Sequence, residues 1–128
     1  MMDAQTLVDE RGELWLTLAP LWLEREPRET DYARMTEVVL RYGLTLKELE
    51  WVIRLELAPV LSRQQMSVAG EWRKFDDYQL MRRLVAHNMR LKGWRRSFWT
   101  LFSGLATIMV RPRFNELLER VAVAQATN

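Results

Sequence analysis

Apolar residues recur at helical spacing along almost the whole chain, and the breaks between runs carry helix caps rather than strand turns. In the first run Leu7, Leu14, Leu18, Leu21 and Trp22 follow the 3.6-residue period of one helix face. Further on, Thr45-Leu46-Lys47-Glu48 has the form of a capping box. The Thr45 hydroxyl and the Glu48 carboxylate would each satisfy an amide that a first helical turn leaves orphaned. Alternation of period two never outlasts chance, and there is no internal repeat or low-complexity tract. The chain therefore reads as all-α. Its 128 residues suffice for one hydrophobic core. The expectation is a compact single-domain bundle of five to six helices over residues 1–128, fraying beyond about residue 122.

The expected helices follow from caps and breakers. The first runs from Ala4 to about Leu23, with Asp3 as N-cap and a kink at Pro20. The second runs from Asp31 to Tyr42, with Thr30 as N-cap and Gly43 as a left-handed C-cap. The third starts at Thr45 and is expected to stop at Pro59, which has no amide hydrogen. A fourth spans Asp77 to about Leu91. The fifth, Trp94 to Val110, is expected to bury Phe98, Leu101, Phe102, Leu105 and Ile108. The sixth opens at Pro112 and buries Phe114, Leu117, Leu118 and Val121.

Between the third and fourth helices lies a connection of about fifteen residues, a length that implies function or internal order. Here Glu56, Pro59, Gly70, Glu71, Trp72 and Phe75 are expected to form one structural loop. Glu56 would accept hydrogen bonds from loop amides, while Trp72 and Phe75 would pack back on the third and fourth helices.

Composition narrows the chemistry. With no cysteine, disulfides and thiolate metal sites are excluded, and the chain reads as cytoplasmic. No apolar run reaches the roughly 18 residues of a spanning helix, so no membrane insertion is expected. The single histidine, His87, has no acidic partner one turn away, and no phosphate loop, nucleophile elbow or HExxH sequence is present. Catalysis, a metal site and a cofactor are therefore not expected. Glu56 and Glu71 could meet as a carboxylate pair, but salt bridging of Glu71 to Arg73 accounts equally well for it.

The net charge of +2 conceals a division: residues 1–60 hold 12 acidic and 7 basic side chains, residues 61–128 hold 5 and 12. Such asymmetry suits a charged partner or internal neutralisation. The Val39–Arg54 hairpin resembles a helix-turn-helix, but Glu48 and Glu50 would face phosphate. Arg82, Arg83, Arg90, Lys92, Arg95 and Arg96, interleaved with His87, Trp94 and Trp99, could hold single-stranded nucleic acid by neutralisation and stacking. The modest net charge disfavours that use. Six tryptophans are too many for the centre of so small a domain, and exposed tryptophan and arginine anchor protein interfaces. Candidate partner-binding residues are the acidic set Glu10, Glu13, Glu24, Glu26 and Glu29, together with Trp94 and Arg95 on the basic side. Arg11, Arg25 and Arg28 alternate with the acidic set and could mask it.

The pattern Glu56-Leu57-Ala58-Pro59-Val60-Leu61, Ala69-Gly70-Glu71-Trp72 and Phe75-Asp76 resembles a family of small uncharacterised bacterial proteins. The resemblance covers roughly residues 10–90 and carries no activity onto any residue. Proteins of this size and class look like the immunity proteins that neutralise a cognate toxin by masking its active site. What this implies is a non-enzymatic protein-binding module, a monomer or homodimer, whose partner is a toxin protein. The alternative is a nucleic-acid-associated or regulatory helical protein using the basic C-terminal half.

Overall fold

The computed structural model describes residues 3–22, 26–66 and 77–127, and its elements are all helical. Helix α1 spans Ala4–Leu18. The Asp3 carboxylate accepts from the Thr6 amide at 2.8 Å, as the N-cap reading expects, and that bond holds its pKa below the usual carboxylate value. At Pro20 the chain tightens into a 3-10 turn, Ala19–Trp22. Helix α2, Glu29–Tyr42, starts two residues earlier than Thr30 would allow as its cap. Arg28 is the extended residue, and its amide donates to the Asp31 carboxylate at 2.8 Å. Gly43 takes the left-handed cap at φ 69°.

The Thr45–Glu48 capping box forms with both bonds present, at 3.0 and 2.8 Å, and opens α3, Leu46–Trp51. Pro59 does not stop the helix that follows. The chain widens into a π segment, Val52–Leu57, and runs on as α4, Ala58–Met66. In that segment the Ala58 amide reaches back five residues to the Ile53 carbonyl. Pro59 thus sits in the first turn of a new α-helical stretch, where a missing amide hydrogen costs least. The carbonyl that an ordinary helix would pair with residue 59 belongs to Leu55, and it accepts instead from His87 Nε2 at 2.8 Å. Because a carbonyl only accepts, the His87 proton lies on Nε2. Asn88 Nδ2 donates to the Glu56 carbonyl at 3.2 Å. Two consecutive residues of α5 (Asp77–Met89) therefore cap two consecutive carbonyls of the π segment.

This arrangement makes an expected outcome. His87→Ala should leave the Leu55 carbonyl without its donor and cost about 1–3 kcal/mol. Replacing Pro59 by alanine supplies an amide hydrogen four residues from Leu55, so His87→Ala/Pro59→Ala should recover part of that loss in urea melts. A double variant at least as unstable as the sum of the two single ones would refute the pairing.

Helices α6, Gly93–Ala106, and α7, Arg111–Thr127, flank a 3-10 turn at Ile108–Val110. Helix α7 continues to Thr127 rather than fraying from residue 122. The core is built from α1, α2, the π segment and α7, with Trp15, Trp22, Met35, Ile53, Leu57 and Phe114 fully buried. Leu80 and Leu84 of α5 close it on a further side. Gly12 lets α5 approach: Met81 Cε stands 3.3 Å from where a β-carbon would be. No helix among the described residues is long and apolar enough to cross a membrane.

Candidate functional site

Helix α6 is amphipathic in the reverse sense from the rest of the fold. Trp94, Phe98, Leu101 and Leu105 fall at successive spacings of four, three and four residues, so they form one stripe, and Ile108 follows in the 3-10 turn beyond it. That stripe faces outward. Trp94 is 72% exposed, Leu101 76%, Leu105 67% and Ile108 59%, with Phe102 and the 71% exposed Met109 beside them. The expected burial of Phe98, Leu101, Phe102, Leu105 and Ile108 is overturned. The inward side of α6 instead carries small polar groups, Ser103 and Thr107, both fully buried.

A polar contact fixes this orientation. Arg54 Nε donates to Ser103 Oγ at 3.0 Å, while its Nη1 bonds the Glu50 carboxylate at 3.1 Å. The same guanidinium lies 4.7 Å over the Trp51 ring. Thr107 Oγ1 donates to the Gly104 carbonyl at 3.0 Å. Half-buried Trp99 meets the His87 ring edge-on at 6.2 Å and the Phe98 ring at 5.2 Å, tying α6 to α5. With these groups holding α6 down, the apolar side has no place in a core already filled by α7.

The rim of the stripe is basic. Arg95 lies 5.2 Å over the Trp94 ring, and Lys92 and Arg111 are exposed towards the two ends of the stripe. Arg83, Arg90 and Arg95 line, with Val60, Ala86 and His87, a cleft of about 360 Å³ between α5 and α6. Three members of the basic run singled out in the sequence, Arg83, Arg90 and Arg95, thus meet at one cleft.

The acidic set does not form one free face. Glu13 holds Arg41 through both carboxylate oxygens, at 3.0 and 3.1 Å, and Arg34 at 3.2 Å. Glu29 holds Arg120 bidentately at 2.7 and 2.9 Å, which depresses its pKa, first through the hydrogen bonds and then through the arginine's charge. Arg120 also lies 4.6 Å over the Tyr32 ring, and the Tyr32 phenol is pushed up chiefly by burial. Glu26 pairs with Arg113 at 3.3 Å, and Arg113 reaches on to the Leu21 carbonyl at 3.0 Å. Glu10 is exposed on α1. Glu24 lies outside the described residues. The arginines that neutralise Glu13 come from α2, and those that pair with Glu26 and Glu29 include Arg113 and Arg120 of α7.

Glu56 is positioned by α1 across the core. Its Oε1 accepts from the Trp15 indole Nε1 at 2.8 Å, and its Oε2 stands 3.9 Å from Arg11. Pro59 is buried within the continuous helix. Gly70, Glu71, Trp72 and Phe75 lie outside the described residues, so the structural-loop expectation is met by no observation. In the helix-turn-helix candidate, Glu48 is used by its capping box, while Glu50, Trp51 and Arg54 are used in holding α6. That leaves Leu46 and Lys47 as its exposed N-terminal side chains. Among the described residues no group of three or more histidines or carboxylates could hold a metal ion.

A family model described as a domain of unknown function, DUF7079, matches residues 9–120, from α1 through most of α7. The chain belongs to this family. The match takes in α6 and its basic rim, beyond the residues 10–90 that the sequence pattern covered. Neither a curated protein nor a solved structure matches the chain.

Proposed function

We propose that this member of the family is a non-enzymatic module that binds another protein through the outward face of α6 and, more narrowly, that it is an immunity protein masking a cognate toxin. The observation that carries the reading is the exposed stripe around Leu101 and Leu105. With large apolar side chains taken at about 200 Å² each, it leaves on the order of 600 Å² uncovered by itself and about 900 Å² together with Phe102 and Met109. The largest apolar patch on an ordinary monomer is about 300–600 Å², whereas one side of a specific interface is about 800 Å². Trp94 and Arg95, stacked together at its end, are the residue types that dominate binding energy when an interface closes over them. Masking a toxin needs only such a rigid surface and no chemistry, and the producing cell's cytoplasm is where that protection would act.

Protection is the test. Cells expressing the chain should survive a toxin encoded beside its gene, and the Leu101→Glu/Leu105→Glu variant, folded by circular dichroism, should lose that survival. Undiminished protection by the variant would remove α6 from the role. The nucleic-acid reading draws on the Arg83, Arg90 and Arg95 cleft beside Trp94. It requires retention of DNA or RNA near physiological salt that Arg95→Glu/Arg96→Glu abolishes.

A further inference from the structure

The stretch from Tyr78 to Asn115, which includes all of α6, contains eight arginines and lysines and no aspartate or glutamate. We propose that the occupant of the α6 face is an acidic amphipathic helix of the partner protein, its apolar stripe flanked by aspartates or glutamates. The inference rests on the reading of α6 as the binding face and adds what the partner must look like.

Three features carry it. First, the four-three-four spacing of Trp94, Phe98, Leu101 and Leu105 on α6 is the seam that a helix packs along with its own side chains set between them. Second, the two positions bordering that seam on one side are Ser97 and Gly104, both exposed and small, so a neighbouring helix has room to approach. A β-carbon built on Gly104 would meet nothing closer than Arg54 Nη2 at 4.0 Å. Third, the charges at the other border and at both ends, Arg95, Lys92 and Arg111, are all positive. Carboxylates opposite them would steer the encounter and fix its register.

The same charges weigh against a second copy of this chain. A two-fold interface places the same patch on both sides. It would bring Lys92, Arg95 and Arg111 of both copies together, with no carboxylate from either Tyr78–Asn115 stretch between them.

The experiment uses the full chain and two fluorescent helical peptides of about three heptads, both with leucine along the seam. One carries glutamate at the flanking positions and the other lysine. Anisotropy titrations should give at least about tenfold tighter binding of the glutamate peptide, with the gap narrowing as salt rises from about 50 to 500 mM. Binding of the glutamate peptide should be lost in Leu101→Glu/Leu105→Glu. Equal affinity for the two peptides, or binding of neither, would overturn the proposal. So would light scattering that shows a dimer which the same double variant dissociates, or tighter binding to phosphatidylglycerol vesicles than to the glutamate peptide. If both peptides fail while the double variant still loses toxin protection, the acidic helix is wrong and the binding face stands. If protection survives the double variant, the face itself is wrong.

Discussion

Trp15→Ala is expected to be among the most damaging single substitutions in this chain, lowering stability by about 3–5 kcal/mol. Trp15 is fully buried on α1, and its ring is among the largest side chains in the core. Truncation opens a cavity that α1, α2 and the π segment cannot fill by small shifts. It also strips the 2.8 Å indole donor from Glu56, leaving that carboxylate with Arg11 at 3.9 Å. Against a total stability of about 5–15 kcal/mol for a domain, a fifth or more would be lost. Thermal melting should fall by about 15 °C. Trp15→Phe separates the two contributions, because it keeps an aromatic ring and removes the N–H. It should cost about 1–3 kcal/mol, the penalty of an acceptor left without its donor. In Glu56→Leu, where no carboxylate waits for that donor, the added cost of Trp15→Phe should shrink. A Trp15→Ala protein melting within a few degrees of the parent would mean that α1 does not pack as described.

What the sequence made legible was local. The Asp3 cap, the Thr45–Glu48 box and the Gly43 C-cap each involve residues within one turn of one another, so their spacing alone identifies them. Pro59 was misread for the same reason. A proline ends a helix when its neighbours cannot take over the lost bond, and here the residue that does so, His87, is far along the chain. The available signal was the lone histidine on α5 followed by Asn88, whose amide serves both the Leu84 carbonyl one turn back and the Glu56 carbonyl across the fold. The ion pairs repeat this lesson. Arg28 stands next to Glu29 in sequence, yet Glu29 binds Arg120, contributed by α7. Helix periodicity announces that a charged face exists, but only the tertiary arrangement decides which charges meet.

The orientation of α6 shows that limit most clearly. A four-three stripe says that one side of a helix is apolar without saying which side the protein covers. The core decides. Phe114, Leu117 and Val121 of α7 already pack against the rest, and α6 is held by Arg54 through Ser103. The opposite face offered a clue in Ser103 and Thr107, polar residues that had to go either to solvent or to a specific partner. Arg54 being the partner of Ser103, the apolar side was left for solvent.

That orientation makes the second large effect a contrast between two leucines. Leu117→Glu should unfold the protein, because it drives a carboxylate into a fully buried site with no donor to receive it. Leu105→Glu, on α6, should change stability by no more than about 0.5 kcal/mol, since the side chain is 67% exposed and its replacement is hydrated. The same substitution is thus expected to be ruinous in one helix and silent in the other, although sequence periodicity assigned both leucines to the core. Urea denaturation of the two variants checks it directly, with circular dichroism reporting helix content. Solubility at high concentration should rise in Leu105→Glu, because the charge breaks the exposed stripe. A Leu105→Glu protein that unfolds like Leu117→Glu would show that the stripe is covered within the chain itself, and the case for a partner on α6 would fall with it.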